Sequence, residues 1–546
     1  MWVRREGGDG SSVVRTASAA LVAAVVVAAG LVVLLWGTAP AAPGEVHRVL
    51  VQGTDFESAA AAVREVGGRI THELGIIDAV AAELTGRQRQ ALARADGVRR
   101  IYGDRRIEIS GNGNGNGGGG GNGGGGGNGG GGNHHPYADF PTLVGADLLH
   151  REGTTGYGVT VAVLDTGHDS FIELDKNSLG DWRSAAEAYY DAIQDRLVSF
   201  WFSDDNGHGT HVASVSVSSA NVGNRQNPQY NGIAPGADLL AVKALDAAGR
   251  GTYADIIRGI DWVVTHRDAY GIRVLNLSLS AEPRSPYWED PLNQAVMRAW
   301  QAGIVVVASA GNAGPAPVTV GVPGNVPYVI TVGAMTDSGT PADVSDDRLT
   351  TFSAAGPTYE AFIKPEVVAP GGHIIGLVSP GDTLADEHPE YYDDWFYFTM
   401  SGTSQSAAVV SGIAALILEA HPELTPDEVK CRLIATARPA AGDAGGLTYS
   451  IFQQGAGLVN AYDAVHSSAS GCANGGLDVA KDLADVEHYA GPAREAADGS
   501  FYLEGTEGFE WDGGLVGNDH YIWSDHYIWS DALGESMSIN VWVPQE

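Results

Sequence analysis

The segment from Gly111 to Asn133 consists only of glycine and asparagine. A segment without apolar side chains cannot bury a core, so it is predicted to be a flexible tether that spans roughly 25–30 Å. Any folded unit must therefore lie on one side of this tether or the other. We predict a small unit over residues 46–110, a linker over residues 111–136, and a larger unit from residue 137 onward.

The small unit shows strand and helix patterns in the order strand, helix, strand, strand, helix, strand. Residues 56–66 have the apolar spacing of a helix, and Thr85 is a suitable N-cap for a second helix. The predicted strands are residues 46–51, two strands within 70–84 on either side of Gly75, and residues 98–109. This order predicts a ferredoxin-like α+β unit.

The larger unit alternates strands with helices. Its strand segments are apolar runs without polar alternation, which is typical of strands covered on both faces. The pattern therefore predicts a parallel sheet between helices, with functional groups at the carboxyl ends of the strands. The predicted strands are 159–165, 238–242, 274–279 and 304–308, and the predicted helices are 253–266, 292–302 and one that begins at residue 208.

Four polar residues fall where such a fold would place a site. Asp165 and Asn312 each follow a buried strand, whereas His208 and Ser404 each begin a helix. A serine at a helix N-terminus has an exposed hydroxyl and a free backbone N–H at the positive end of the helix dipole. This segment alone is more often just a helix N-cap, but the other three residues accompany it, so we predict a nucleophile and an oxyanion site at Ser404.

The order Asp, His, Asn and Ser, with its local contexts, resembles the subtilisin-like serine endopeptidases, the subtilase family. The matching segments are Val159–Gly167, Asn206–Ser214, Ile304–Asn312, Ser401–Ala408, Phe352–Thr358, Lys364–Gly371 and Gln454–Asn460. The resemblance covers residues 137–467 and implies a subtilisin-like three-layer α/β fold with a mostly parallel sheet between helices. It also implies that residues 46–110 form an inhibitory propeptide ahead of the catalytic domain.

The resemblance implies a role for each of these residues in the hydrolysis of a peptide bond. Ser404 is expected to be the nucleophile, His208 the general base and Asp165 the carboxylate that orients the base. The side-chain amide of Asn312 and the backbone N–H of Ser404 are expected to hold the oxyanion. The family segment that binds the extended substrate corresponds to Ser278, Leu279 and Ser280.

The chain departs from the family pattern at several positions. Ser280 replaces a glycine and adds a side chain near the first specificity pocket, and His168 replaces an aliphatic residue. Gln405 replaces a common methionine. None of these changes removes a group that the mechanism uses. His211, one turn after the expected base, is predicted to be a packed structural residue.

Two other functions compete with a peptidase. A catalytically silent binding protein on the same scaffold would be free to lose one of the four site residues, and all four are present. An esterase is expected to carry a Gly-x-Ser-x-Gly motif, which the sequence around Ser404 lacks. The leading hypothesis is an exported serine endopeptidase that is made as a zymogen and cleaves itself between about Ile109 and Pro136.

The N-terminus has the pattern of an export signal. Basic residues precede an uninterrupted apolar run over residues 19–36, and the small-residue segment at 39–41 fits a cleavage site. We therefore predict a signal peptide over residues 1–41 and an extracellular protein. The run is also as long as a membrane-spanning helix of ~18 residues, so a retained anchor stays open.

The net charge of the chain limits its binding partners. The chain has 32 Lys and Arg against 66 Asp and Glu, a formal charge of −34. Such acidity argues against nucleic acids and anionic membrane surfaces, and it is typical of a protein that binds cations or basic peptides or that stays soluble after export. The predicted partners, polypeptide substrates and the chain's own propeptide, are what the family resemblance implies.

Only two cysteines occur, Cys431 and Cys472, which excludes a disulfide-rich scaffold. A bond between them and two unrelated cysteines both stay open.

The chemistry requires no cofactor. A structural calcium ion is an expectation from the family alone, because no Asp-x-Asp-x-Asp-Gly loop occurs and residues 218–230 contain no carboxylate.

The C-terminal extension, residues 468–546, has no clear helical period and contains an exact tandem repeat over residues 520–531. The repeat is predicted to be either a β hairpin or edge segment that presents tryptophans, or a low-complexity surface extension.

Overall fold

The computed structural model describes residues 46–105, 136–183, 189–198, 203–224, 226–338, 340, 347–392, 396–440, 447–503 and 537–539. The predicted export signal, the glycine and asparagine linker and the tandem repeat lie outside the described residues. All statements below concern the described ranges.

The N-terminal unit has the predicted β-α-β-β-α-β order. Its elements are β1 (Val46–Gly53), α1 (Phe56–Glu65), β2 (Arg69–Leu74), β3 (Ala79–Thr85), α2 (Gly86–Leu92) and β4 (Val98–Gly103). The strands form an antiparallel sheet in the order β2-β3-β1-β4. Thr85 caps α2, as the sequence predicted, and its side chain and that of Gln88 form a capping box.

The larger unit is built on a nine-stranded sheet. Its strands are β5 (Thr160–Asp165), β6 (Tyr189–Asp191), β7 (Arg196–Val198), β8 (Asp238–Lys243), β9 (Ile272–Leu277), β11 (Val305–Ser309), β12 (Ile330–Thr336), β13 (Arg348–Leu349) and β14 (Val367–Pro370). The order is β13-β12-β11-β9-β5-β8-β6-β7, and β14 also pairs with β12. All pairs are parallel except β12 with β13 and β6 with β7.

The remaining strands form small pairs outside this sheet. They are β10 (Leu279–Ala281) with β19 (Met537–Ile539), β15 (Ile374–Leu377) with β16 (Tyr397–Met400), and β17 (Ala493–Glu495) with β18 (Phe501–Leu503). The strand predicted over residues 274–279 is therefore two strands, because β10 leaves the main sheet after Leu277.

Helices cover both faces of the main sheet. They are α3 (Phe140–Leu143), α4 (Ala146–Glu152), α5 (Ile172–Asp175), α6 (His208–Val217), α7 (Tyr253–Tyr270), α8 (Pro291–Gln301), α9 (Thr383–Glu387), α10 (Thr403–Ala420), α11 (Pro426–Thr436), α12 (Ile451–Gln454), α13 (Ala461–His466) and α14 (Val479–Leu483). Helices α7 and α8 pack together in one layer, and α6 and α10 pack together in another. Strand β9 contacts both α7 and α10, so the predicted three-layer fold is confirmed.

Helix α10 is the centre of the core. Every residue from Thr403 to Leu418 is buried. Among the residues that the structure describes, α10 is the one helix long and apolar enough to cross a membrane, and 89% of it is buried inside the fold. Its apolar character is that of a core helix in a close-packed protein.

The N-terminal unit docks on α7 and α8. His72 Nε2 lies 3.0 Å from Asp255 Oδ1, and the carboxylate of Asp104 accepts a hydrogen bond from the backbone N–H of Ala254 in the first turn of α7. Apolar side chains of β1 and β2, among them Leu50 and Leu74, belong to the same buried cluster as the core of the larger unit. The two units therefore share an apolar interface.

The C-terminal extension is also anchored to the larger unit. Cys431 of α11 and Cys472 form a disulfide with a Cα–Cα distance of 5.2 Å, which decides the alternative that the sequence left open. The buried carboxylate of Asp482 accepts hydrogen bonds from the hydroxyls of Tyr287 at 2.6 Å and Tyr328 at 3.0 Å. Asp482 lies in α14, a helix that the sequence pattern did not predict and that Asp478 caps.

A buried ionic cluster connects β14 and α11. Glu366 Oε1 lies 2.7 Å from Lys364 Nζ and 2.8 Å from Lys430 Nζ. The second carboxylate oxygen accepts a hydrogen bond from the N–H of Thr331 at 2.7 Å. Burial lowers the pKa of Lys364 to about 7, and Glu366 opposes that shift. One carboxylate thus balances two buried ammonium groups.

Replacement of Glu366 by glutamine should destabilise the fold. Glu366→Gln removes the negative charge and leaves both lysines buried without a counter-ion, so we expect a loss of about 3–5 kcal/mol in the free energy of unfolding. Urea unfolding at pH 6, in a Ser404→Ala background that prevents self-digestion, measures this loss. The exposed Glu495→Gln is the control and should stay within about 0.5 kcal/mol of its parent. Equal losses in the two variants would contradict the role of the cluster.

Candidate active site

The first half of the candidate site joins β5 to α6. Strand β5 ends at Asp165, whose Oδ1 lies 2.8 Å from His208 Nδ1 and accepts a second hydrogen bond from the N–H of Thr166 at 2.8 Å. Both side chains of the Asp165–His208 pair are buried. His208 Nε2 is buried and has no hydrogen-bond partner in the described part of the chain. The ring is thus oriented by one nitrogen and has the other available for proton transfer.

Asp204 shapes the turn that begins α6, and the sequence analysis did not identify it. Its Oδ1 accepts from the N–H of Asn206 and Gly207, and its Oδ2 accepts from the N–H and the hydroxyl of Thr210. The pKa of Asp204 is lowered, because these hydrogen bonds outweigh the burial that would raise it. An aspartate side chain commonly accepts from the backbone N–H two residues on in a turn, so the sequence did carry a clue to this role.

The second half of the site lies at the start of α10. Ser404 is the second residue of the helix, and its hydroxyl donates to the backbone carbonyl of Ser278 at 3.2 Å. The Ser278 hydroxyl lies 3.0 Å from the carbonyl oxygen of Ser404 and 2.9 Å from Asn276 Oδ1. Ser404 is fully buried. The prediction that its hydroxyl is exposed is therefore wrong. The side chain is enclosed because it packs against the Ser278 backbone.

Thr403 fixes the amide of Asn312. The side-chain oxygen of Asn312 accepts from the N–H of Thr403 at 3.1 Å and from its hydroxyl at 3.0 Å. The amide nitrogen of Asn312 is buried and has no hydrogen-bond partner among the described residues. The sequence analysis missed Thr403, whose only sequence signal is its position between Gly402 and Ser404.

The amide nitrogen of Asn312 and the backbone nitrogen of Ser404 lie near one point. A Cβ atom added to Gly402 would lie 3.4 Å from Asn312 Nδ2, 3.8 Å from the backbone nitrogen of Ser404 and 2.8 Å from the side-chain oxygen of Gln405. An oxyanion hole requires two such nitrogen donors near one point, and here the Gln405 oxygen lies beside them.

Contacts between α6 and α10 join the two halves. One turn into the helices, Gln405 Nε2 lies 3.5 Å from His211 Nδ1, and farther along the Ser216 hydroxyl donates to the carbonyl of Ala408 at 2.8 Å. The other ring nitrogen of His211 lies 3.1 Å from the carbonyl oxygens of both Ile374 and Phe398. Burial, together with the nearby His208, lowers the pKa of His211 to about 3. The prediction that His211 is a packed structural residue is confirmed.

In the predicted substrate-binding segment, the side chains of Ser278 and Leu279 make their contacts inside the protein. Leu279 is fully buried in the core cluster, and the Ser278 hydroxyl is used inside the protein. The Ser280 side chain is partly exposed and lies beside Gly311 and Gly321, where added Cβ atoms would come within 2.8 Å and 2.0 Å of its hydroxyl oxygen. Ser280 therefore fills space between these two glycines, and its effect on the first specificity pocket stays a prediction.

The other two departures from the family pattern are buried. Burial lowers the pKa of His168 to about 4, so this ring is neutral near pH 7. The amide nitrogen of Gln405 lies 3.3 Å from the sulfur of Met400. Neither residue replaces a group of the Asp165–His208 pair or of the pair of N–H donors.

Three carboxylates lie close to the turn before His208. The backbone N–H of Asp204 donates to Asp169 Oδ1, and a Cβ on Gly207 would come within 3.2 Å of Asp382 Oδ2. Burial, with Asp169 and Asp204 nearby, raises the pKa of Asp382 to about 8. Burial also raises the pKa of Asp169. Asp382 is therefore largely protonated at neutral pH.

The structural calcium ion stays an expectation from the family. The described ranges contain no group of three or more His, Cys, Asp or Glu residues arranged to hold a metal. Next to the segment 218–230, the carbonyls of Val217 and Pro235 accept hydrogen bonds from the buried guanidinium of Arg183 at 2.5 Å and 3.2 Å. These two carbonyl oxygens therefore bind a cationic side chain.

Known proteins show the same fold and sequence pattern. A family model described as the subtilase family matches residues 156–457. The serine protease AprX of Bacillus subtilis is 40% identical over 316 residues, which cover 57% of this chain and 67% of AprX. Subtilisin E of Bacillus subtilis is 34% identical over 322 residues, which cover 58% of this chain and 68% of that protein. The crystal structure of fervidolysin from Fervidobacterium pennivorans, a keratinolytic enzyme related to subtilisin, matches with a TM-score of 0.55 and 21% identity, covering 78% of this chain and 62% of fervidolysin.

The chain belongs to the subtilase family and is a serine endopeptidase, a hydrolase that acts on polypeptides. The family match lies within the predicted catalytic domain. The match with fervidolysin, at 21% identity, supports the fold.

Protonation of Asp382 should make stability depend on pH. Its pKa is about 8 in the folded protein and about 4 in the unfolded chain, so the protonated group stabilises the fold fully below pH ~4 and that contribution is lost as the pH rises toward 8. Asp382→Asn keeps a neutral side chain at every pH. We expect it to raise the free energy of unfolding at pH 9 by roughly 1–2 kcal/mol, after allowance for solvent screening, with little change at pH 4.

Chemical unfolding at both pH values, in the Ser404→Ala background, tests this prediction. Asp386→Asn, at an exposed position of the same helix, is the control and should change stability equally at the two pH values. A gain for Asp382→Asn that is the same at pH 4 and pH 9 would show that Asp382 does not titrate between them.

Proposed function

We propose that this protein is an exported, self-processed serine endopeptidase whose triad is Asp165, His208 and Ser404. The observation that carries the proposal is a buried, oriented His208 whose Nε2 has no partner among the described residues, together with an Asn312 amide nitrogen that also lacks one and lies near the start of α10. Buried donors and acceptors without partners are rare, and they gather where a reacting group is to be bound.

In the proposed mechanism each group acts on one reacting atom. Ser404 Oγ attacks the carbonyl carbon of the scissile bond while His208 Nε2 takes its proton. Asp165 holds the ring by Nδ1 and stabilises the imidazolium that forms. The N–H groups of Asn312 and Ser404 bind the negative oxygen of the tetrahedral intermediate. His208 then gives the proton to the leaving amine, and water hydrolyses the acyl-enzyme by the reverse sequence.

The N-terminal unit is proposed to be the inhibitory propeptide. It supports this role by its docking on α7 and α8 through an apolar interface and the His72–Asp255 contact. Its proposed removal is by self-cleavage between about Ile109 and Pro136, within or beside the linker. The N-terminal export signal and the kinship with subtilisins support an extracellular location. The proposed chemistry uses only groups of the chain itself.

Replacement of Ser404 should abolish self-processing. Wild type is expected to lose residues up to the 109–136 window, whereas Ser404→Ala should keep every residue after the signal because the nucleophile is absent. N-terminal sequencing and intact mass of the purified proteins measure this difference. Ser406→Ala, a buried hydroxyl two residues along the same helix, is the matched control and should be processed like wild type.

The two outcomes separate an enzyme from a silent scaffold. Processing that is the same in wild type and Ser404→Ala would make another protease responsible. If wild type also failed to cleave an added peptide, the protein would be a binding protein on a subtilase scaffold.

Loss of the Asn312 amide should lower the rate of catalysis. In Asn312→Ala we expect kcat to fall by about 10²–10³-fold with a smaller change in KM, as for the oxyanion amide of subtilisin, because this donor acts mainly in the transition state. Steady-state hydrolysis of a fluorogenic peptide by the mature proteins measures both constants. Asn227→Ala, at an exposed loop position, is the control. An unchanged kcat in Asn312→Ala would remove this residue from the oxyanion hole.

A further inference from the structure

Ser278 lies between the end of β9 and the start of β10, and it makes two contacts with the same residue. Its backbone carbonyl accepts the hydroxyl of Ser404 at 3.2 Å, and its own hydroxyl lies 3.0 Å from the backbone carbonyl oxygen of Ser404. Both side chains are fully buried. Each serine can therefore act toward the other as donor and as acceptor. The proposed nucleophile is attached to Ser278 through its side chain and through its backbone.

The hydroxyl of Ser278 has a second neighbour in the core. It lies 2.9 Å from the side-chain oxygen of Asn276, and the amide nitrogen of Asn276 donates to the Ser411 hydroxyl at 3.0 Å. A serine hydroxyl has one proton, which Ser278 can share between the oxygen of Asn276 and the carbonyl oxygen of Ser404 in a three-centre hydrogen bond. This hydroxyl thus connects the end of β9 to the first turn of α10.

Asn276 gives this contact a fixed reference in the main sheet. It lies in β9, which pairs with β5 along one edge and with β11 along the other. Strand β5 ends at Asp165, and Asn312 follows the end of β11. A strand that is hydrogen-bonded along both edges is held in register by its neighbours. Ser278 is therefore held in place relative to the two strands that lead to the other residues of the candidate site.

We propose that Ser278 is a positioning residue of the active site, and that its hydroxyl sets the first turn of α10 relative to β9. The inference rests on the proposed function of Ser404. That turn carries both the hydroxyl that attacks the substrate and the backbone N–H that binds the oxyanion. A shift of the turn changes the positions of both groups at once, whereas the Asp165–His208 pair lies on β5 and α6 and stays in place.

Kinetics of the mature Ser278→Ala enzyme test the inference. The change removes the bond to Ser404 and leaves the first turn of α10 less well placed, so kcat per active site should fall by about 10-fold or more. KM should change by less than about threefold, because the backbone of the substrate-binding segment is kept. Hydrolysis of a fluorogenic peptide, with active sites counted by titration with a sulfonyl fluoride, measures both constants.

Two further variants separate positioning from general stability. Ser278→Thr keeps the hydroxyl and should recover kcat to within about threefold of wild type. Ser406→Ala removes another buried hydroxyl near the start of α10, one that donates to the carbonyl of Ala369 at 3.0 Å. Each alanine variant loses one buried hydrogen bond, so urea unfolding should show similar losses of stability. Only Ser278→Ala should lose kcat.

The pH profile and the rate of self-processing give independent measures. The acid limb of kcat/KM should keep its midpoint in Ser278→Ala, because this variant leaves the Asp165–His208 pair unchanged. Self-processing of the full-length Ser278→Ala chain, followed by intact mass, should slow by the same factor as kcat. This second rate also covers the case in which too little mature variant is obtained.

Three results would overturn the inference and leave the proposed function intact. They are a kcat for Ser278→Ala within about twofold of wild type, an equal fall of kcat in Ser406→Ala, and a rise in KM with kcat unchanged. In each of these cases wild type remains an active peptidase. If wild type cleaves neither itself nor the added peptide, the proposed function of Ser404 fails, and the role of Ser278 fails with it.

Discussion

The packing of α6 against α10 is the contact on which the candidate site depends. Each helix begins with one of the two residues that must meet, His208 on α6 and Ser404 in the first turn of α10. Small and polar residues at the contact, such as Ser216, let the helices approach closely. A change in this packing would move the proposed base relative to the proposed nucleophile. The packing of the core therefore sets the geometry of the candidate site.

Two polar side chains of the site are each held by one hydrogen-bonding atom, while their other such atom has no partner among the described residues. His208 is held through Nδ1 by Asp165, and its Nε2 has no partner. Asn312 is held through its side-chain oxygen by Thr403, and its amide nitrogen has no partner. Leaving a buried donor or acceptor unpaired costs free energy, which the surrounding core must offset. A site of this kind is preorganised, because it needs no rearrangement when negative charge develops on the substrate.

Strand β10 lies next to the start of α10. It pairs with β19, and the carbonyl of Ser278, just before β10, accepts a hydrogen bond from the Ser404 hydroxyl. The N-terminal unit docks elsewhere, on α7 and α8. Ser280 of β10 adds a side chain beside Gly311 at the same place.

Local sequence determined the elements and the order of the site residues. The apolar run before Asp165, the capping box at Thr85 and the glycines around His208 depend on near neighbours, so the strands, the ferredoxin-like order and the three-layer fold were predictable. Tertiary structure alone decided the rest. The roles of Asp204 and Thr403, the Cys431–Cys472 bond, the burial of Ser404 and the pairing of β10 with β19 depend on groups that are distant in the chain, and a hydrogen-bond partner or a free strand edge exists only once distant segments are packed together.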